Sequence, residues 1–220
     1  MTGRADRETG SRLQALALGV LLALCPAVSL AQNSFTVEGI TFSDERGGAV
    51  LRGVTGSGRV DDPFVVTEEI TGDEPAILTV RGLSFTFGNR ARTSHSTGFA
   101  IVKIVTNATD RPWSGYALEL QEMLGAPSSY GDGLSFAQGD ERARTIASDR
   151  FPRVGATEEP HDGVAFTGGT ILPGETVSVS FFITDNSPVA AFYLIQHRED
   201  PVARAPASGP RPLTAAAAFP

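Results

Sequence analysis

The chain has 220 residues, 41% of them hydrophobic and 20% charged, with a formal net charge of −7. That balance fits a chain that buries a core and excludes a mainly disordered or fibrous one. Lys and Arg number 18 against 25 Asp and Glu, and the Arg residues are scattered, so nucleic acid and anionic membranes are not expected partners.

The first segment has the three-part order of a secretory signal peptide. Arg4, Arg7 and Arg12 precede an apolar run from Leu13 to about Leu24, and Pro26 and small residues follow. Ala31 closes the segment, with Ser29 two residues before it, so cleavage is expected between Ala31 and Gln32. The apolar run is shorter than the ~20 residues of a spanning helix. Cys25 is preceded by Leu24 rather than by a small residue, so a lipobox is not expected. Removing residues 1–31 takes away three Arg, two acids and the only cysteine, leaving 15 basic against 23 acidic residues. Such a chain has no disulfide and no thiolate, and must rest on its hydrophobic core. This combination predicts bacterial export, to the periplasm or the outside, with no integral membrane segment after signal removal.

From Phe35 onward, short apolar runs alternate with turn residues. Phe35 and Val37 are followed, across Gly39, by Ile40 and Phe42. Ala49–Val54, a run from Phe64 to Ile70, Ile77–Val80 and Leu83–Phe87 follow, with Gly82 as a bend between the last two. Gly98–Thr106 is apolar on both alternating faces except at Lys103, the pattern of a strand buried on both sides. Tyr116, Leu118 and Leu120 alternate with Ala117, Glu119 and Gln121, which predicts one wet face. Gly163–Thr167 resumes the pattern, and a Pro-Gly turn at 173–174 launches Val177, Val179, Phe181 and Ile183 onto one face. Ala191–Gln196 is the last run. About nine to eleven short strands at this spacing predict an all-β fold, a single antiparallel β-sandwich of immunoglobulin-like or jelly-roll-like form, over residues 32–200. Residues 125–160 form a long irregular insertion, in which Asp140–Ser148 has the pattern of a short capped helix. Residues 201–220 are Pro- and Ala-rich, and a disordered tail is expected there.

Three segments together are similar to a known group. They are Ile104–Thr109 with Trp113 following, Tyr116–Leu120, and Gly168–Ile183. Their order resembles exported bacterial immunoglobulin-like β-sandwich proteins of the kind found with PEP-CTERM sorting tails. The resemblance implies a β-sandwich without shared catalytic residues. The chain departs from sorted members at its end, where no apolar helix with a basic stop follows, so anchoring by that route is not expected.

Chemical motifs are sparse. His95, His161 and His197 are scattered and match no zinc-site spacing. His161 and Asp162, in an acidic stretch with Glu158 and Glu159, are one candidate ligand-binding pair; the plainer reading is a solvated loop closed by an Asp-Gly turn. Tyr130 and Asp132, flanked by glycines, are a second candidate contact for a sugar or a cation, against the plainer reading of a turn. Asp61-Asp62-Pro63 reads as a turn before a strand, and Ser57 lacks the nucleophile-elbow pattern. Glu68 and Glu69 are adjacent, so in a strand they point to opposite faces and cannot share one site. Trp113 reads as a plug at the end of the sandwich in preference to an exposed sugar platform.

These readings favour a non-enzymatic binding or structural module, without a cofactor, whose partner is a protein or glycan that contacts the 125–160 insertion. A metal-assisted hydrolase built on His161 and Asp162, and a surface-matrix subunit that assembles by strand pairing, are the alternatives.

Overall fold

The computed structural model describes residues 32–129, 131–137, 146–157 and 162–200. The expected signal segment, the expected tail and most of the expected short helix lie outside them. Ile146–Ser148, the described end of that helix, is extended instead, and Ala147–Ser148 pairs with a neighbouring strand.

The described residues form β-strands and connections, with no α-helix among them. The strands are β1 (Ser34–Val37), β2 (Ile40–Ser43), β3 (Ala49–Thr55), β4 (Phe64–Ile70), β5 (Ala76–Arg81), β6 (Thr97–Asn107) and β7 (Trp113–Gln121). After them come β8 (Leu134–Ser135), β9 (Ala147–Ser148), β10 (Arg153–Thr157), β11 (Gly163–Ile171), β12 (Thr176–Asp185) and β13 (Ala191–Glu199). One sheet has the order β1-β2-β5-β13-β7-β11-β10, the other β3-β4-β6-β12-β8, with β9 also on β12. The two sheets pack face to face as a β-sandwich.

Alternation explains the layers. Along β12, Val177, Val179, Phe181 and Ile183 are buried while the residues between them are half-buried. Tyr116, Leu118 and Leu120 do the same on β7. The sheets meet through aromatic rings: Phe42 of the first sheet lies edge-on to Phe64 of the second, with centroids 5.3 Å apart, and Phe64 repeats that geometry with Phe99. Trp113 is fully buried and stacks on Tyr116, so it plugs the sandwich. The β1–β2 turn is Glu38-Gly39, both at positive φ (54° and 84°), the requirement of a two-residue type I′ hairpin.

Three expectations need correction. The sandwich is not wholly antiparallel: β4 and β6 pair in parallel, from Phe64 opposite Ile101 to Ile70 opposite Asn107. The chain leaves this sheet after β4, builds β5 in the other sheet and returns as β6, and the two crossings restore its direction. Leu83–Phe87 is not a strand. Gly82 adopts φ +92°, and the Ser84 carbonyl accepts from the Phe87 amide at 3.0 Å, so the chain turns and leaves Phe85 exposed. β6 is not buried on both faces throughout, because Val102, Ile104 and Thr106 remain half-exposed on its outer side.

Lys103 departs most from the alternation of apolar residues. Its side chain points into the core and is fully buried, and its Nζ donates to Glu68 Oε1 at 2.6 Å. Glu69, the next residue, faces outward and pairs with Arg52 at 2.6 Å, as opposite strand faces require. Burial pulls the Lys103 ammonium below its ordinary range, and the Glu68 carboxylate acts in the opposite direction.

Asn107 knots the far end of the sandwich. Its Nδ2 donates to the carbonyls of Arg111 (2.8 Å) and Ile171 (3.1 Å), and its Oδ1 accepts from the amide (3.0 Å) and hydroxyl (2.6 Å) of Thr109. Its carbonyl accepts from Gly174 N at 2.7 Å, so one residue ties the β6–β7 connection to the β11–β12 turn.

Removing one member of the buried pair strands the other charge. Lys103→Met is expected to lower unfolding free energy by about 3–5 kcal/mol, and adding Glu68→Leu is expected to recover most of that loss. Urea denaturation of the three proteins measures the difference.

Candidate functional site

The long insertion is held against one end of the sandwich. The Asp162 amide donates to the Ser128 carbonyl (2.8 Å), and its carbonyl accepts from Leu120 N (3.1 Å). Asp162 is therefore buried along β7, where it closes the insertion. Asp132 lies on the other side of the same segment. Its Oδ2 accepts from Ser129 N at 3.3 Å and its Oδ1 from Leu134 N at 3.0 Å, the geometry of a side chain that holds its own turn. Asp132 and Asp162 thus flank the two residues Ser128 and Ser129. Tyr130 and His161 lie outside the described residues, as do Glu158 and Glu159.

The turn around Asp132 is joined to the β12–β13 connection. Ser187 Oγ donates to the Asp132 carbonyl at 2.6 Å, and Asn186 N donates to the Gly133 carbonyl at 3.1 Å. Asp185, the last residue of β12, is buried, and its Oδ1 accepts from Ser187 N at 2.7 Å. Thr97 Oγ1 donates to the Asp185 carbonyl at 2.9 Å, which fixes the start of β6 to the end of β12. Asn186 Oδ1 accepts from Ser96 N at 2.9 Å and extends the tie to the loop before β6.

Three carboxylates feel one another here. Burial pushes Asp185 up to about 6; the charges of Glu122 and Asp132 add to that, while the Ser187 amide and His95 oppose it. Burial also raises Glu122, and the Asp132 charge adds to the rise. Glu122 and Asp185 went unnamed in the sequence reading. Each looks like an ordinary polar residue at a strand end, and only loop closure brings them beside Asp132.

His95 packs against the outer side of the second sheet. It is buried, its Nδ1 shares a hydrogen with Thr184 Oγ1, and its Nε2 has no partner. His197 belongs to the other sheet, opposite Ala117 on β7. It borders a shallow concavity of about 320 Å³, lined also by Glu119, Ala117, Ala165, Gly155 and Gly163. Among the described residues no group of three or more His, Cys, Asp or Glu is arranged to hold a metal ion. No helix among them is long and apolar enough to cross a membrane. Ser57 belongs to a turn, where its Oγ donates to the Asp62 carbonyl at 3.3 Å.

The fold and this end define a two-sheet β-sandwich in which two half-buried loop carboxylates, Glu122 and Asp132, lie near the buried Asp185. No family model matches the chain, and no curated protein or solved structure gives a significant match.

The raised Asp185 carries a pH signature. Its folded pKa of about 6 lies above the ordinary 3.8, so its stabilising effect is complete below about pH 4 and is lost as pH rises through 6. Asp185→Asn is expected to be more stable than the parent at pH 7.5, by on the order of 1–2 kcal/mol after solvent screening, and no more stable at pH 4. Chemical denaturation at the two pH values checks this.

Proposed function

We propose that this chain is an exported bacterial β-sandwich, periplasmic or extracellular, that acts as a non-enzymatic binding module through its acidic loop face. The observation that carries this reading is the bracing of Glu122, Asp132 and Asp185 at one end. Burial raises two of these carboxylates, Glu122 and Asp185, and the charges of their acidic neighbours add to the rise. A stability-driven arrangement would spread these charges or pair each with a base. A partner that brings cationic groups relieves the repulsion, so the best-fitting partner is a protein with a basic patch; a glycan that offers hydroxyl donors is the second form of ligand.

Export is supported by the order of the N-terminal segment and by the lack of cysteine from Gln32 onward. A compact unit starts at Gln32, where cleavage is expected. Kinship with the exported immunoglobulin-like β-sandwiches is supported by the role of Asn107, which gives the strand end and the Pro-Gly turn of the shared pattern one physical purpose.

Two outcomes are expected. The protein recovered from the periplasm or medium of a bacterial host has an intact mass that starts at Gln32; a mass that retains residues 1–31 overturns export. An affinity capture from envelope extract, with a glycan array beside it, yields a ligand whose binding weakens about tenfold in the Glu122→Gln/Asp132→Asn protein and falls steeply with salt. Turnover in a hydrolase panel that the same double substitution abolishes would overturn the non-enzymatic reading.

A further inference from the structure

The described sheet edges differ in how they are protected. β3 has a register irregularity between Leu51 and Gly53, and it packs against β1, so these two edges close on each other. β8 and β9 are two residues long. β10 is the exception. All five of its residues are exposed, and among the described elements it packs essentially on β11 alone. Val154 stands opposite Phe166, which is fully buried, yet Val154 itself is 41% exposed. The apolar row of the sheet therefore continues onto β10, and no described residue covers it.

Edge strands are normally blunted by a charge, a proline or a bulge. β10 has no proline or bulge inside its pairing length, and a single charge. Its pairing with β11 is regular from Arg153 to Thr157. The one charge, Arg153, lies over β11: a Cβ at Gly168 would sit 2.9 Å from the Arg153 Nε, so the guanidinium occupies the space above that glycine and not the free edge.

We propose that β10 is a pairing edge for a second copy of this chain, joined antiparallel about a two-fold axis at Gly155. In that register Gly155 faces Gly155, Val154 faces Ala156 and Arg153 faces Thr157. The apolar row of one sheet meets that of the other, and no like charges stand opposite. A parallel pairing would set Arg153 beside Arg153. Sliding the pair toward the N-terminus brings in Pro152, which has no amide to donate. The two seven-stranded sheets then become one continuous sheet across an isologous interface. This inference rests on the edge and not on the acidic face, so the two readings fail separately.

The test exploits the space at Gly155, where an added Cβ meets no atom within 4 Å. The monomer fold therefore accepts a side chain there, while the two-fold axis sets the two side chains against each other. Sedimentation at about 100 μM is expected to show a dimer for the wild type and a monomer for Gly155→Lys, with the same melting temperature for the diluted monomers. An equal mixture of Gly155→Lys and Gly155→Asp is expected to restore the dimer. Thr157→Arg, which sets Arg against Arg153 of the second copy, is expected to dissociate it without touching Gly155. Asp132→Asn leaves the dimer intact. A monomeric wild type, a dimer that survives both Gly155→Lys and Thr157→Arg, or a mixture that stays monomeric overturns the proposal.

Discussion

The buried pair of Lys103 and Glu68 constrains the register of the whole second sheet. β4 and β6 are joined in parallel, and a parallel pair has no tight turn to fix its alignment. A slip by one residue would turn Glu68 to the outer face and leave an ammonium alone in the core, at a cost of several kcal/mol. The ion pair adds little net stability, yet it makes every neighbouring register far worse. β3 hangs on β4 and β12 on β6, so the alignment of that one contact propagates to both edges of the sheet. Its field also crosses the layers. Burial raises the Tyr116 hydroxyl well above its ordinary value, the Glu68 charge adds to this, and Tyr116 donates to Gln196 Oε1 on β13.

Charge is handled in opposite ways at the two ends of the sandwich. At the end where β6 finishes, Asp73 and Asp200 each bind both Arg111 and Arg198, a closed ring of two acids and two bases that joins the β4–β5 and β6–β7 connections to the end of β13. At the end where β6 begins, the Asp132 and Asp185 carboxylates accept from backbone amides, with Glu122 near them. Exposed ion pairs are individually weak, but a ring holds its members in shared geometry. The first end is thus compensated by paired bases, while the second gathers acidic groups with no base paired to them among the described residues.

Much of the fold was legible because it follows from local alternation. β12 and β7 read as strands from period two alone, and the opposite faces of Glu68 and Glu69 followed from the same rule. Trp113 read as a plug because an aromatic at a strand start has few other ways to be buried. What escaped depends on distant partners. Lys103 looked like a flaw in a buried strand because Glu68 lies 35 residues earlier in sequence. Leu83–Phe87 looked like a strand because its composition suits one, but the Gly82 backbone turns the chain first. Asp132 and Asp162 stood out as candidate ligand contacts against the plainer reading of turns; that Asp132 braces its own turn and Asp162 ties Ser128 to Leu120 depends on backbone partners that no side-chain pattern reveals. Glu122 and Asp185 carried no signal, since their proximity depends on how Ser187 and Asn186 tie two loops together.

The exposed β10 and the acidic face follow from one topological choice. The first sheet carries two strands beyond β7, and the insertion that supplies β10 also supplies the loop held by Asp132 and Asp162. Once Asp162 is pinned beside Leu120, β11 must start at Gly163 with its flank open, and β10 can cover that flank only as a new edge. A chain that closed its loop end without the insertion would end this sheet at β7 or β11, and Val164 and Phe166 would have no outer neighbour. The insertion therefore shields two core residues and exposes Val154 in their place. Among the described residues, the two places that the strands alone do not close are thus the loop end with its acidic groups and the outer edge of β10.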